Sequence, residues 1–305
     1  MSSNPFDKKA PIPNVKHIIV VGSGKGGVGK STVSLNLSVA LSKLDLKVAL
    51  LDADLYGPSV PRLTGTIHVK PELSEGNKLL PIRRYGINLM SMGHLVEEES
   101  PLVWRGPMLF KAIEQFFRDV HWGDLDVLVI DLPPGTGDVA LTIAQKVPVS
   151  GGVVVSTPQN LSLTDTKKAL NMFRQIEIPI IGVVENMSYY LSGKTETRSQ
   201  SKKEEQLKKR DKLDRGELTE SLDKNNLSEK ENALEKIDLF PRGQIDIYLK
   251  EKKVNKLAEI PFHPHVGLSC EAGVPLLESQ PDTEEGKAIL TLAEKVKKYL
   301  LEKEA

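Results

Sequence analysis

Short runs of consecutive apolar residues alternate, over the first 190 positions, with segments whose apolar residues recur every three or four places. His17-Ile-Ile-Val-Val-Gly22 is a β-branched run ending in glycine and reads as a buried strand. Lys30 to Leu44 follows, with Val33, Leu37, Ala40, Leu41 and Leu44 at helical spacing. Lys47 to Asp52 is the next strand, one strand–helix–strand unit later, which predicts a parallel sheet. The strand series continues at Ile87–Met92, Asp126–Asp131, Gly152–Ser156, Pro179–Val184 and Leu257–Phe262. Helices are expected over Pro107–Val120, Thr164–Ile176 and Thr283–Leu301. Strands that are apolar throughout, instead of alternating, fit a sheet covered on both faces. The expected fold class is α/β, a mostly parallel doubly wound sheet flanked by helices.

The alternation stops at Ser192. Lys194 to Lys236 holds 23 charged residues in 43, 12 basic and 11 acidic, and no aromatic residue. Its leucines keep no steady three- or four-residue step, so no continuous apolar face forms. Such a stretch reads as a solvated insertion; a partner-binding arm that orders on contact is the sharper alternative. The expected organisation is an N-terminal tail over 1–15 and one domain over 16–305, interrupted at about 194–236.

Composition narrows the function classes. Formal net charge is zero, from 41 basic and 41 acidic residues, which gives no electrostatic argument for nucleic acid or an anionic membrane. No window approaches the roughly 18 apolar residues that a spanning helix needs, so no stable membrane insertion is expected. Met1 to Asn14 has no apolar core of the secretory kind, and a cytoplasmic protein is the expectation. Cys270 is the one cysteine, so the chain cannot assemble a four-thiolate site by itself.

The loop after the first strand carries the chemistry. Gly24-x4-Gly29-Lys30-Ser31 is the P-loop pattern, with a strand before it and a helix after it. Glycines let successive N–H groups turn inward toward phosphate oxygens, and the helix start adds its positive end. Lys30 is expected to reach the β- and γ-phosphates, and the Ser31 hydroxyl to coordinate Mg²⁺. The predicted ATP site runs through Gly24, Lys25, Gly26, Gly27, Val28, Gly29, Lys30, Ser31 and Thr32. Gly22-x-Gly24-x-x-Gly27, with Asp52 at the second strand's end, also matches the dinucleotide fingerprint. The Gly29-Lys30-Ser31 continuation favours the P-loop, because a dinucleotide fold has no use for a lysine and hydroxyl there. Asp131 ends an apolar strand where an Mg²⁺-associated carboxylate belongs, and Gly135 beyond it is placed to sense a γ-phosphate through its N–H. Asp52-x-Asp54 and Gly57-Pro58-Ser59 form a third cluster at the same sheet edge. An ATPase is the expected activity.

Lys25 is the unusual residue. A lysine just inside the first P-loop glycine resembles the deviant P-loop ATPases of the MinD/ParA group. That resemblance implies a homodimer in which Lys25 acts on the partner's nucleotide. Asp52-Ala-Asp-Leu-Tyr-Gly-Pro-Ser-Val-Pro61, Trp104-Arg-Gly-Pro-Met108, Asp131 to Asp138, Ser156-Thr-Pro-Gln159, Val184-Glu-Asn-Met-Ser188, Cys270 to Pro275 and Gln280-Pro-Asp282 are similar to landmarks of the Mrp-type iron–sulfur cluster carriers. The resemblance covers about residues 15–190 and 237–300. It implies that Asp54 orients the attacking water, Asp131 serves Mg²⁺ and Asn186 contacts adenine. It also implies slow, dimer-dependent hydrolysis, with iron–sulfur apoproteins or assembly factors as partners. The family pattern places Cys-Pro-x-Cys after Asn-Met-Ser; this chain reads Leu191-Ser192-Gly193-Lys194-Thr195 there. Two other readings remain at this point: a cluster-free interaction protein switched by nucleotide, and a positioning ATPase of the MinD/ParA kind.

Overall fold

The strands assemble because their apolar runs leave no side for water. Val48–Asp52 (β2) is buried at every position, as is Gly151–Ser156 (β6). Each fully buried valine or leucine contributes about 1.5–3 kcal/mol relative to exposure. The computed structural model describes residues 9–55, 57–95, 106–135, 137–192, 235–241 and 243–304. The core of the predicted insertion, Tyr56, Thr136 and the Trp104-Arg105 part of one family landmark lie outside the described residues.

The remaining strands are Val15–Gly22 (β1), Ile82–Arg84 (β3), Ile87–Ser91 (β4), Leu125–Asp131 (β5), Ile180–Ser192 (β7), Glu235–Ile237 (β8) and Lys256–Phe262 (β9). The helices are Lys30–Lys43 (α1), Val60–Leu63 (α2), Gly106–Asp119 (α3), Gly137–Lys146 (α4), Asn160–Gln175 (α5), Ile245–Glu251 (α6), Pro264–Glu271 (α7), Leu276–Ser279 (α8) and Glu284–Glu304 (α9). Among the described residues the sheet runs β3-β4-β2-β5-β1-β6-β7-β8, with β9 also paired to β7. Only β3 against β4 and β8 against β7 are antiparallel. Two apolar layers cover its faces. One joins α3, α4 and α5 to the sheet through Ile113, Phe116, Ile143 and Phe173. The other joins α1 and α9 through Leu37, Leu41, Leu292 and Val296.

The predicted elements stand, with shifts at their ends; β3, β8, α2, α4, α6, α7 and α8 were not predicted. β7 extends to Ser192, eight residues past the apolar run, because its second half pairs with β8 and β9. β8 takes Glu235 and Lys236, the last two residues of the expected insertion, into the sheet, where they pair with Ser192 and Leu191. α4 was not predicted, although Val139, Ala140 and Ile143 bury one of its sides.

Candidate functional site

Four strands deliver the predicted residues to one edge of the sheet. β1 ends at Gly22, β2 at Asp52 and β5 at Asp131, and Asn186 lies within β7. β1 sits between β5 and β6, so the chain after it emerges in the crevice where open α/β sheets bind ligands. Gly24 passes so close to α5 that a Cβ there would lie 2.0 Å from the carbonyl oxygen of Asp165. That contact, more than any need for a turn, fixes glycine at this position.

Helix α1 begins without a side-chain cap and without an acid in its first turn. Its first N–H groups and positive end therefore face the loop. Lys30, 6 % exposed, forms an ion pair with the fully buried Asp131: Nζ lies 2.7 Å from Oδ1. Nζ also approaches Ser31 Oγ at 3.1 Å. Ser34, one helical turn along α1, donates to the same Asp131 Oδ1 at 2.7 Å. Asp131 Oδ2 is buried and has no hydrogen-bond partner among the described residues. An anionic oxygen left this way is costly unless a cation or donor meets it, and it fits the Mg²⁺ expected beside Ser31. Ser34 escaped the sequence reading; the available signal was a serine at every fourth position after the P-loop lysine, Ser34, Ser38 and Ser42, on an otherwise largely apolar helix.

Asp52 is the direct neighbour of Asp131 in the parallel register of β2 and β5. Its Oδ1 accepts from the Asp54 N–H at 3.1 Å; its Oδ2 accepts from Ser59 N–H at 3.0 Å, Val60 N–H at 3.1 Å and the Ser91 hydroxyl at 3.1 Å. Burial, then the charge of Asp131, pushes the Asp52 carboxyl up to about 7. Asp52 thus ties down the segment that carries Asp54, which no sequence pattern announced. Asp54 is half-buried, and its Oδ1 accepts from the Gly57 N–H at 3.2 Å. The Gly135 N–H donates to Ser23 O at 3.1 Å, which brings the Asp131–Gly135 segment against the P-loop. Lys25 is half-buried, and its carbonyl oxygen accepts from the Ser23 hydroxyl at 2.9 Å. Asn186 Nδ2 donates to Val28 O at 2.9 Å. The predicted phosphate and metal residues are brought together around Lys30 and Asp131, with Asn186 against the outer side of the loop.

The family described as NUBPL iron-transfer P-loop NTPase matches residues 14–223. The chain belongs to that family. An iron-sulfur cluster carrier protein from Aquifex aeolicus is 40% identical over 293 residues, covering 96% of this chain and 70% of its own. The mouse iron-sulfur cluster transfer protein NUBPL is 40% identical over 300 residues, covering 98% and 82%. Among solved structures, a nucleotide-binding protein from Archaeoglobus fulgidus in complex with ADP superposes with a TM-score of 0.65 at 33% identity, covering 89% of this chain and 91% of that one. The Pyrococcus furiosus cell division ATPase MinD superposes at 0.59 with 20% identity, a likeness of fold alone. The expectation of a MinD/ParA-like P-loop fold is therefore met, and with it nucleoside triphosphate hydrolysis as the family's general chemistry.

Within this NUBPL-family chain, Cys270 lies on α7. Its half-buried thiol sits 3.6 Å from the Thr32 hydroxyl in the first turn of α1. Burial pushes this thiol up, against the opposing effect of the Thr32 hydrogen bond. Where the family pattern would place its cysteines, β7 ends in Leu191-Ser192 paired with β8. Among the described residues, no group of three or more His, Cys, Asp or Glu is placed to hold a metal ion. A cluster held by four thiolates does not fit residues of this kind. No described helix is long and apolar enough to cross a membrane.

Proposed function

We propose that this protein is an ATP-binding, slowly hydrolysing homodimer that acts in iron–sulfur cluster assembly or delivery. In this reading it holds no cluster on its own thiols. The observation that carries the ATP half is the Lys30–Asp131–Ser34 constellation beneath the P-loop, with the second Asp131 oxygen free for a cation. With nucleotide bound, phosphate oxygens would replace Asp131 as the partner of Lys30, and Ser31 and Asp131 would hold Mg²⁺, which would supply charge neutralisation at the phosphates. Asp54 orients the attacking water, and Lys25 completes the neighbouring subunit's site. Asn186 contacts the adenine base in this reading.

The cluster is cargo in this scheme. Two Cys270 thiols per dimer fall short of the four that a cubane cluster takes, so in this reading iron–sulfur apoproteins or assembly factors supply the thiolate ligands. The protein then works as a nucleotide-driven clamp upon them. Turnover per subunit, measured over a range of protein concentrations with Mg-ATP, tests the dimeric mechanism. A rate that climbs with concentration and saturates is expected; a rate independent of concentration contradicts it.

A further inference from the structure

Asn186 meets the P-loop from outside. Its side chain, 9 % exposed, donates from Nδ2 to the carbonyl oxygen of Val28 at 2.9 Å. The next residue, Gly29, has φ +78°, and a Cβ there would lie 2.4 Å from the same Nδ2. Asn186 gains this position through an irregularity in β7. Met187 is left-handed at φ 54°, and the pairing with β9 slips between Asn186 and Tyr190. The strand bends just where its side chain must turn under the loop.

A peptide group is planar and, in the trans form, directs its C=O and N–H oppositely; no described peptide is cis. Val28 C=O and Gly29 N–H belong to one such plane. Fixing the carbonyl toward β7 therefore fixes the Gly29 N–H away from β7, toward the inner side of the loop. We propose that Asn186 is a positioning residue: its amide clamps the Val28–Gly29 peptide so that the Gly29 N–H is preset for a phosphate oxygen. The role is separate from any contact with the base and serves the ATP-binding reading given above.

The test compares binding of Mg-ATP and of base-free tripolyphosphate with Mg²⁺, by calorimetry and ³¹P resonance, to wild type, Asn186→Leu and Asn186→Asp. Loss of one buried hydrogen bond is worth about tenfold in affinity, so Asn186→Leu should weaken both ligands about tenfold. Asn186→Asp should weaken both at pH 8 and recover relative to wild type as pH falls, because a protonated carboxyl donates to Val28 O where a carboxylate repels it. Unchanged tripolyphosphate affinity beside weakened ATP would reduce Asn186 to a base contact and overturn the clamp. So would equal losses without recovery in acid, or a wild type that binds ATP but not tripolyphosphate. Failure of the wild type to bind ATP would instead strike the ATP-binding reading itself.

Discussion

Lys30 Nζ and Asp131 Oδ1 are 2.7 Å apart, both buried. The cation proposed to serve phosphate and the carboxylate proposed to serve Mg²⁺ are thus paired with each other, and in this reading a nucleotide must separate them. Phosphate alone would strip Asp131 of its cation; Mg²⁺ alone would strip Lys30 of its anion. Removing one member of a buried pair costs roughly 3–5 kcal/mol, whereas replacing both costs much less. Lys30→Met should therefore abolish ATP binding and lower the melting temperature. Lys30→Met combined with Asp131→Asn should regain much of the stability without regaining ATP. Thermal melts and ATP titrations on the single and double variants check this; additive losses of stability would contradict it.

Lys25 and Asp54 should separate binding from turnover. Lys25→Ala is expected to keep ATP affinity while losing the concentration-dependent rise in rate. Asp54→Asn should likewise bind ATP, with hydrolysis reduced about 10²- to 10⁴-fold, the range for loss of a positioned base. Wild-type turnover in Lys25→Ala would remove the trans role.

Gly24→Ala places a methyl 2.0 Å from the Asp165 carbonyl oxygen, a backbone atom that cannot swing aside. The loop must leave its position or α5 must shift. ATP binding should be lost while the far-ultraviolet circular dichroism stays close to wild type. Retained ATP affinity would show that the loop tolerates displacement from α5.

His94 gives a stability test remote from the nucleotide. It is buried, shares a 2.9 Å hydrogen bond between Nε2 and Thr66 Oγ1, and has no partner at Nδ1 among the described residues. Burial, aided by Lys70, pushes its imidazole down to about 4 from 6.5. The unfolded chain takes up the proton first, so this contribution is complete above 6.5 and is lost as pH falls toward 4. His94→Gln should flatten the fall in denaturation free energy between pH 6.5 and 4. An unchanged slope would show that His94 protonates freely in the folded chain.

The sheet was legible because Ile18 to Val21, Val48 to Leu51 and Val127 to Ile130 are apolar without a break, the mark of strands buried on both faces. The P-loop was legible for a different reason: phosphate chemistry demands particular residues at fixed spacing. The second half of β7 carried neither signal. Tyr189 to Ser192 is strand because β8 and β9 pair with it, partners distant in sequence. The same limit hid the roles of Ser34 and Asp52. A serine on a helix and an aspartate at a strand end look ordinary until the register sets Asp52 beside Asp131 and α1 lays Ser34 against it.

In the proposed mechanism the P-loop ATP switch works uncoupled from thiolate cluster binding. Iron and sulfide content after anaerobic reconstitution, on protein shown to bind ATP and beside Cys270→Ser, tests it most directly. Iron at the background level in both proteins, with ATP binding intact, is the predicted result. Four irons per dimer that remain through desalting and vanish in Cys270→Ser would contradict it.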